Sequence, residues 1–373
     1  MKFYQLTSVL DFQGGSQPPK KDFENEPSTT NVRFLQIRDF KNDNKIVYIP
    51  ISKKNRLCNK EDILIARYGA SVGQILTGKE GAYNVALMKV IDSNNLFNIR
   101  FLNHFFNSPY FQNNLLSRST RSAQAGFNKG DLSEIEIPVP SFKEQEKIAE
   151  KLDNIFENIE LKFNLYKNKI ELHEQLCKSK LNQIFNDELV KSGGIKLNDL
   201  VDLQKGKKPE ISQQIEGNLP YLTAKYIRGE SDPEYGIPNS KGIVLVNPKD
   251  YVIIMDGSNS GEVFTGINGI LASTMGKIIL KQKINLKYLG YFLDFNKENF
   301  ANTKTGSAIP HLSKDVLFNL QIPVPSSKDQ EKIVVKLDKF FKNVNYKLKI
   351  INEETYLVNN LKKSILNKEF SYE

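Results

Sequence analysis

The chain has 373 residues, 39% hydrophobic and 10% aromatic, which suits two or three domains with apolar cores and excludes wholesale disorder. Its 52 basic residues exceed its 43 acidic residues, giving a formal net charge of +9; this favours an anionic partner, nucleic acid above all, although an ordinary basic protein would show it too. Without a long apolar run, a signal-peptide core or paired cysteines (Cys58 and Cys177 lie far apart), we expect a soluble, cytoplasmic protein.

The first 140 residues predict a mixed α/β domain built from short strands and many turns. Strands are predicted at residues 32–37, 46–51 and 62–66, the last from its continuous apolar run. That strand leads into a turn at 67–73 that is rich in glycine and small residues. A helix is predicted at 99–116, interrupted at Pro109, and a polar, basic loop follows at 118–131.

A long amphipathic helix follows this domain. Pro138 and Pro140 mark a strand end, because proline fits neither a central strand nor a helix interior, and Ser141 with Glu144 fits a capping box. Apolar residues then recur mostly at steps of three or four, at Ile148, Leu152, Ile155, Ile159, Phe163, Tyr166 and Ile170, and less regularly at Leu176, Leu181, Ile184 and Phe185. The pattern predicts a helix of about 45 residues, roughly 70 Å long at about 1.5 Å per residue.

Gly193 and Gly194 end this helix, and a second domain follows that repeats the first. Residues 62–90 align with 250–278, so that a strand at 251–254 and a turn at 256–261 replace the earlier strand and turn. The framework positions recur, whereas the residues between them differ. This is typical of two domains that share a fold but recognise different targets.

The long helix is also repeated. Residues 137–185 align with 322–370 without a gap at an offset of 185, with about 23 of 49 positions identical. Ser327 with Gln330 fits a second capping box. The apolar stripe recurs at Ile333, Leu337, Phe340, Val344, Leu348, Ile351, Val358, Leu361 and Ile365. The natural partner for each stripe is the other copy, in a two-stranded coiled coil; the alternative is two unrelated helices that pack on separate cores.

We therefore predict an α+β fold with an internal pseudo-two-fold repeat. Globular domains at 1–140 and 191–325 alternate with helical regions at 141–190 and 326–373. If the helices pair antiparallel, the globular domains are expected at opposite ends of a rod, with the end of the chain returning near its start.

At this level the chain resembles the specificity (S) subunit of Type I restriction-modification systems. In that family two variable target-recognition domains alternate with two conserved helical regions, each opening with an Ile-Pro-hydrophobic-Pro segment, a Glu-Gln helix start and a Lys-Leu-Asp. The corresponding segments are 137–140, 144–145 and 151–153 in the first copy, and 322–325, 329–330 and 336–338 in the second. The second copy has Asp329 in place of Glu. The resemblance covers essentially the whole chain.

The resemblance implies a non-catalytic DNA-binding subunit. Such a subunit recognises a bipartite site in double-stranded DNA, one half per recognition domain, and docks two modification subunits that carry S-adenosylmethionine and methylate adenine. Restriction subunits join in the full complex. The chain itself is expected to hold no cofactor and no metal. Two recognition domains related by a two-fold axis favour half-sites about 34–36 Å apart.

The residues predicted to contact DNA are chosen by type and place, because Arg, Lys, Asn and Gln read base edges while Lys, Ser and Thr hold phosphates. In the first domain they are Arg67, Tyr68, Ser71, Arg118, Arg121, Gln124 and Lys129. In the second they are Lys205, Lys207, Lys208, Lys225, Arg228, Ser258, Asn259 and Lys304. For each lysine, simple solvation is the alternative.

Partner docking has a weaker signature. The exposed helix faces carry charged residues near each helix start, and these either dock a partner or are merely solvated: Lys147, Glu150, Lys151, Lys332 and Lys336.

Two other functions stay open: a coiled-coil scaffold without DNA specificity, and a fused enzyme with unrecognised chemistry. The sequence carries no phosphate-binding loop, and Asn107-Ser108-Pro109-Tyr110 lacks the first proline of the adenine-methyltransferase signature. The three histidines have no metal-ligand spacing.

Overall fold

The computed structural model describes residues 2–119, 126–239, 241–303 and 311–371. The chain forms two compact units: unit 1 contains Met1–Tyr166 and Ile351–Glu373, and unit 2 contains Lys167–Ile350. Each unit combines a mixed α/β globule with segments of two long helices, so the predicted α+β class is confirmed. None of the helices in the described ranges has both the length and the apolarity that a membrane crossing requires.

The globular part of unit 1 contains ten short strands and four helices among its described residues, with brief 3-10 turns at Lys20–Asp22, Ile37–Phe40 and Gly69–Ser71. In chain order the elements are β1 (Phe3–Gln5), α1 (Leu6–Val9), β2 (Asp11–Gly14), β3 (Asn31–Leu35), β4 (Tyr48–Pro50), β5 (Leu57–Cys58), β6 (Leu64–Ala66), β7 (Ile75–Leu76), β8 (Gly81–Tyr83), β9 (Leu87–Ile91), α2 (Ile99–Phe106), α3 (Pro109–Ser119), α4 (Lys129–Leu132) and β10 (Glu136–Pro138). The first long helix, α5 (Phe142–Ser192), follows.

Unit 2 repeats this series. Its elements are β11 (Ile195–Lys196), α6 (Leu197–Leu200), β12 (Val201–Lys205), β13 (Ile211–Ser212), β14 (Leu219–Leu222), α7 (Ala224–Ile227), β15 (Tyr235–Gly236), β16 (Leu245–Val246), β17 (Tyr251–Ile254), β18 (Val263–Thr265), β19 (Gly269–Leu271), β20 (Met275–Leu280), α8 (Leu286–Phe295), α9 (Lys297–Asn302), α10 (Lys314–Phe318) and β21 (Gln321–Ile322). The second long helix is α11 (Ser327–Phe370).

The two units have matching sheet topologies. An antiparallel sheet of order β2-β9-β6-β7 in unit 1 corresponds to β12-β20-β17-β18 in unit 2. A second sheet contains one parallel pair in each unit, β3 with β8 and β14 with β19. A two-stranded pair, β1 with β10 or β11 with β21, ties the start of each globule to its end. Lys89 and Lys277, which are equivalent in the alignment of residues 62–90 with 250–278, form equivalent ion pairs within their sheets. Lys89 pairs with Asp62 at 2.6 Å and Lys277 with Asp250 at 2.7 Å.

The predicted elements of the first domain are confirmed with small shifts. The three predicted strands are β3, β4 and β6, each somewhat shorter than its sequence pattern. The predicted helix is indeed broken near Pro109, which begins α3. Gly193 adopts a φ of +68° directly after α5, a conformation that glycine tolerates best, so its predicted role as a helix stop is confirmed.

The long helices bury the predicted stripe for most of its length. Ile159, Tyr166, Val344 and Val358 are each at most 8% exposed, although charged residues surround them in sequence. The prediction is wrong at two positions, listed with their exposure: Leu176 (51%) and Leu361 (53%). Both lie on the exposed face of their helix, in a row of apolar residues that is described with the candidate interface below.

The helix segments run antiparallel within each unit, as predicted. In unit 1 Lys151 forms an ion pair with Glu369, and Lys362 lies 4.9 Å from the centre of the Phe156 ring, so the numbering rises on one helix as it falls on the other. In unit 2 the last turns of α5 and the first turns of α11 share one apolar core. Each unit's main core therefore combines its globule, the end of one long helix and the start of the other.

Each long helix is attached to its globule by a buried glutamine. The Gln145 side chain accepts a hydrogen bond from Asn98 N at 2.8 Å and donates to Leu96 O and Pro140 O. The Gln330 side chain likewise accepts from Asn285 N at 2.8 Å and donates to Pro325 O. Each glutamine thus fixes a helix start to the residue that caps α2 or α8.

This arrangement corrects the predicted capping box of Ser327 with Gln330. The capping residues are Ser326 and Asp329: Asp329 N donates to Ser326 Oγ at 3.3 Å, and Ser326 Oγ donates to Asp329 Oδ2 at 2.6 Å. Gln330 cannot cap the helix because its side chain is bound within the core. In the first copy Glu144 accepts from Ser141 N at 2.9 Å, as expected for the reach-back half of a capping box.

Substitution of Gln145 by alanine is expected to lower the stability of unit 1 by at least about 2 kcal/mol, because each polar group left buried without a partner costs about 1–3 kcal/mol. Hydrogen–deuterium exchange with mass spectrometry reports each unit separately, and peptides from α2 should exchange faster. Gln175→Ala, an exposed position on the same helix, is the matched control. Equal protection in the two variants would contradict this role.

Candidate nucleic-acid interface

Three segments that are far apart in sequence meet at one edge of unit 1. They are the end of β2, the turn at 67–73 after β6, and Gly126 shortly before α4. Tyr68 and Gly126 form an isolated antiparallel bridge, and Phe127 N donates to Arg67 O at 3.3 Å. The polar loop that precedes Gly126, residues 120–125, lies outside the described residues.

Unit 2 builds the same edge from the equivalent segments. They are Lys205 at the end of β12, the turn at 256–261 after β17, and His311 shortly before α10. Asp256 and His311 form the corresponding antiparallel bridge, and Leu312 N donates to Met255 O at 2.8 Å. The pairing of these segments follows from the shared sheet, in which β12 and β17 flank β20 and both end beside its first residues.

In each unit a glycine near the end of β2 or β12 lets the three segments approach each other: Gly15 in unit 1 and Gly206 in unit 2. A Cβ on Gly15 would overlap the carbonyl oxygens of Tyr83 and Asn84, and one on Gly206 would overlap those of Leu271 and Ala272. The backbone therefore passes so close to a neighbouring loop that only glycine fits.

The predicted residues of the unit 1 turn come together as expected for a surface group. Arg67 lies against Tyr68, with its Cζ 4.9 Å from the ring centre, and its Nε donates to Phe127 O at 3.4 Å. Tyr68 is 42% exposed. Ser71 ends the short 3-10 turn and is partly exposed. This group combines a guanidinium and an exposed tyrosine, side chains that both bind DNA phosphates.

Two other basic residues predicted in unit 1 have partners within the chain. Arg118 Nε donates to Glu134 Oε2 at 3.1 Å and its Nη1 to Asn114 O at 2.7 Å, and its side chain is 16% exposed. Lys129 is 55% exposed and pairs with Asp11, and its hydrogen bond holds the pKa of that carboxyl below its ordinary value. Arg121 and Gln124 lie outside the described residues.

In unit 2 the predicted residue Lys205 belongs to an ionic cluster. Its Nζ lies 2.9 Å from Asp256 Oδ2, while His311 Nδ1 lies 2.8 Å from Asp256 Oδ1. Partial burial acts to raise the pKa of the Asp256 carboxyl, but the hydrogen bonds from His311 and Lys205 outweigh it and hold that pKa below its ordinary value. The carboxylate therefore stays ionised.

The other predicted residues of unit 2 are more dispersed. Lys207 Nζ donates to Lys241 O at 3.0 Å. Arg228 pairs with Glu262 and stacks on Phe264, and its side chain is 20% exposed. The remaining predicted residues are exposed: Lys208 in the loop after β12, Lys225 in α7, and Ser258 and Asn259 on the turn at 256–261. Lys304 lies outside the described residues.

Asp256 and His311 belong to this edge, although the sequence did not lead us to predict them as site residues. A signal for them was available: the three aligned segments place Lys205, Asp256 and His311 opposite Gly14, Tyr68 and Gly126. The three segments have three different alignment offsets, so the sequence alone does not group them, and only the fold brings them together.

A second repeated polar group lies where each globule meets a long helix. In unit 1 Asp153 accepts from Arg100 Nη1 at 2.7 Å and lies 2.6 Å from His104 Nε2. In unit 2 Asp338 occupies the equivalent place beside Lys287 and Tyr291. Burial lowers the pKa of His104 against the raising effect of its hydrogen bond to Asp153. These aspartates end the repeated Lys-Leu-Asp segment, which therefore fixes the angle between helix and globule.

The long helices also carry a repeated row of exposed apolar residues. The rows have the same four-seven-four spacing, which places them on one face of each helix, and their members are 36–66% exposed. They are Leu161, Leu165, Leu172 and Leu176 on α5, and Tyr346, Ile350, Leu357 and Leu361 on α11. Each member of the second row follows its counterpart by 185 positions. The charged docking candidates near the helix starts, Lys147, Glu150, Lys151, Lys332 and Lys336, are also exposed.

Comparison with known proteins gives one family. A family model described as the Type I restriction modification DNA specificity domain matches residues 1–172 and 191–354. The MjaVIII specificity subunit of Methanocaldococcus jannaschii is 36% identical over 182 residues, covering 48% of this chain and 41% of that protein. The EcoKI specificity subunit of Escherichia coli K12 is 22% identical over 378 residues, covering 91% of this chain and 81% of that protein. The chain thus spans less than half the length of the MjaVIII subunit.

Solved structures resemble the whole chain in fold. A chain from a study of complex assembly in the type I R-M system has a TM-score of 0.78 at 17% identity, covering 98% of this chain and 96% of its own length. The HsdS subunit of Thermoanaerobacter tengcongensis has a TM-score of 0.51 at 18% identity, covering 98% and 95%. Among the described residues, no group of three or more His, Cys, Asp or Glu could hold a metal ion.

Proposed function

The chain belongs to the Type I restriction-modification DNA specificity family, and on that premise we propose that it is the subunit that selects the DNA sequence for such a system. It binds a bipartite site in double-stranded DNA, with one globular domain for each half. It works in the cytoplasm, performs no catalysis and binds no cofactor of its own.

One observation carries this proposal: the chain contains two copies of one framework whose convergent edges have different side chains. The edge of unit 1 presents Arg67 and Tyr68, whereas that of unit 2 presents Lys205 with Asp256 and His311. A scaffold would have no need for two unlike surfaces on one framework, but a protein that reads two different half-sites would.

The residues at these edges divide into two kinds of contact. Exposed lysines such as Lys207, Lys208 and Lys225 suit phosphates, which fix the position of a protein on DNA without reading its sequence. Side chains on the turns, such as Asn259, suit base edges. Arg118 and Arg228 already bind Glu134 and Glu262, so their first role is to hold the local backbone in place.

Two identical modification subunits dock on the long helices in this proposal, and restriction subunits join the full complex. The support is the pair of equivalent exposed rows, one on α5 and one on α11, because exposed apolar rows of this regularity are typical of helix-to-helix docking. The modification subunits bring S-adenosylmethionine and methylate adenine.

DNA binding by the full chain, alone and with co-expressed modification subunits, is expected to weaken steeply with salt. The slope of log K against log salt concentration should be about −0.9 for each phosphate contact. Lys208→Ala should reduce the magnitude of that slope by about one contact, whereas Lys347→Ala, an exposed change on α11, should leave it unchanged. An electrophoretic shift over a salt series measures both.

The methylated adenines of the host genome provide the decisive test. We expect them to fall in a two-part motif that loses its methylation when the gene is deleted. If the full chain bound no DNA, either alone or with modification subunits, and deletion of the gene left methylation unchanged, the alternative of a coiled-coil scaffold without DNA specificity would be favoured. Methyl transfer or cleavage by the isolated chain would overturn the non-catalytic assignment.

A further inference from the structure

We propose that Lys205, Asp256 and His311 form a base-recognition cluster in unit 2, in which Asp256 is the positioning residue and Lys205 and His311 face the bases. The inference rests on the proposed DNA-binding function and deepens it. It names the groups that make the two recognition domains differ.

The contacts of Asp256 support a positioning role. Its two carboxylate oxygens have separate partners, since Oδ2 lies 2.9 Å from Lys205 Nζ and Oδ1 lies 2.8 Å from His311 Nδ1. The Asp256 side chain is 21% exposed, whereas those of Lys205 and His311 are 56% and 51% exposed. The carboxylate is thus set back behind two cationic or polar groups that reach solvent.

The backbone supports the cluster from three directions. Lys205 is the last residue of β12, opposite Gly276 of the neighbouring strand. Asp256 N donates to Thr274 O at 3.1 Å, and the bridge between Asp256 and His311 fixes the third segment. Because each residue lies on a fixed backbone segment, the cluster is held in place before DNA arrives.

Unit 1 shows that these three positions change as a set. Their counterparts are Gly14, Tyr68 and Gly126. A Cβ on Gly126 would lie 2.8 Å from Tyr68 Cδ1, and a Cβ on Gly14 would lie 3.1 Å from Arg67 Nη1. The two glycines therefore leave room for the Tyr68 ring and the Arg67 guanidinium, which take up the space used by the ionic cluster in unit 2. One framework thus holds two mutually exclusive sets of side chains.

The chemistry of the cluster defines what it would read. A carboxylate can only accept hydrogen bonds, so His311 Nδ1 carries the proton that Asp256 accepts. In the tautomer with a single ring proton, Nε2 points away from Asp256 and is a hydrogen-bond acceptor. In the major groove the groups that can donate to it are the amino groups of adenine and cytosine. Lys205 keeps protons for an acceptor such as guanine O6 or N7. The ligand is therefore a run of base edges in the second half-site.

The test is a comparison of base preferences in the two half-sites. The full chain with its modification subunits is used to select from DNA in which both halves of the mapped site are randomised, and the selected sequences give a preference for each position. Lys205→Met and Asp256→Asn are expected to reduce discrimination at one or two positions of the second half by about 10- to 100-fold, the range of a lost base contact. The first half should be read as before.

Glu298→Gln is the matched control, because it removes another exposed ion pair of unit 2, that of Lys178 with Glu298. It should leave both profiles unchanged. Lys205→Met alters an exposed side chain, so it tests the proposal even if Asp256→Asn fails to fold. If the wild-type complex selects no sequence, the proposed function itself fails. If it selects both halves but Lys205→Met leaves the second profile intact or weakens all sequences equally, the cluster does not read bases and only this inference is overturned.

Discussion

Replacement of Phe370 by alanine is expected to destabilise unit 1 by about 3–5 kcal/mol, the usual cost of removing a fully buried aromatic side chain. Phe370 is 0% exposed and lies in the last turn of α11. Its ring packs edge-on against Phe101 at 5.2 Å and Phe105 at 5.7 Å between centroids. A residue close to the end of the chain therefore completes a core whose other members come mostly from its first half.

The counterpart of Phe370 is Phe185, which is also 0% exposed and packs against Tyr288 and Phe292 in unit 2. Hydrogen exchange should therefore show unit 1 opening in Phe370→Ala and unit 2 opening in Phe185→Ala. Phe142→Ala, which truncates a half-exposed ring at the start of α5, is the control. If both variants loosened the two units equally, the division of the chain into two separately built cores would be wrong.

Charges placed on one exposed apolar row are expected to remove one of the two modification subunits. The double variant Leu161→Glu/Leu165→Glu should weaken docking on α5 at least about 100-fold, since burying each leucine contributes about 1.5–3 kcal/mol. The equivalent double variant on α11, Tyr346→Glu/Ile350→Glu, should have the same effect on the other subunit. Native mass spectrometry should count one modification subunit in either variant and none when they are combined.

The control makes the same change in charge without removing apolar surface. Lys167→Glu changes the charge of α5 by the same two units at an exposed position two residues after Leu165, which is on another face of the helix, and it should retain both modification subunits. Circular dichroism should show that all variants keep their helices. Retention of two subunits by the combined row variant would rule out these rows as the docking surface.

Much of the fold is readable from the sequence because its signals are periodic and long. The stripe of α5 and its repeat in α11 extend over many turns, so individual exceptions such as Leu176 do not change the prediction. The break before Pro109 and the stop at Gly193 are also local, since each follows from the backbone restrictions of one residue.

Shorter signals were ambiguous where two neighbours could serve the same role. Ser326 and Ser327 are both acceptable capping residues, and local spacing favours Gln330 as the partner of the second. The structure decides for Ser326 because Gln330 is 3% exposed and binds Asn285 N, a residue 45 positions away. Which residues cap this helix therefore depends on which side chain is already hydrogen-bonded within the core.

The sequence by itself determined the two-fold repeat, the α+β class and the alternation of globules with long helices, because each is encoded by regular spacing along the chain. Only the tertiary structure decided which polar residues act together at the candidate interface. Lys205, Asp256 and His311 are separated by about 50 positions at each step, and their meeting depends on the sheet that aligns β12 with β17. Ion pairing and exposure are properties of that three-dimensional neighbourhood, and no local pattern records them.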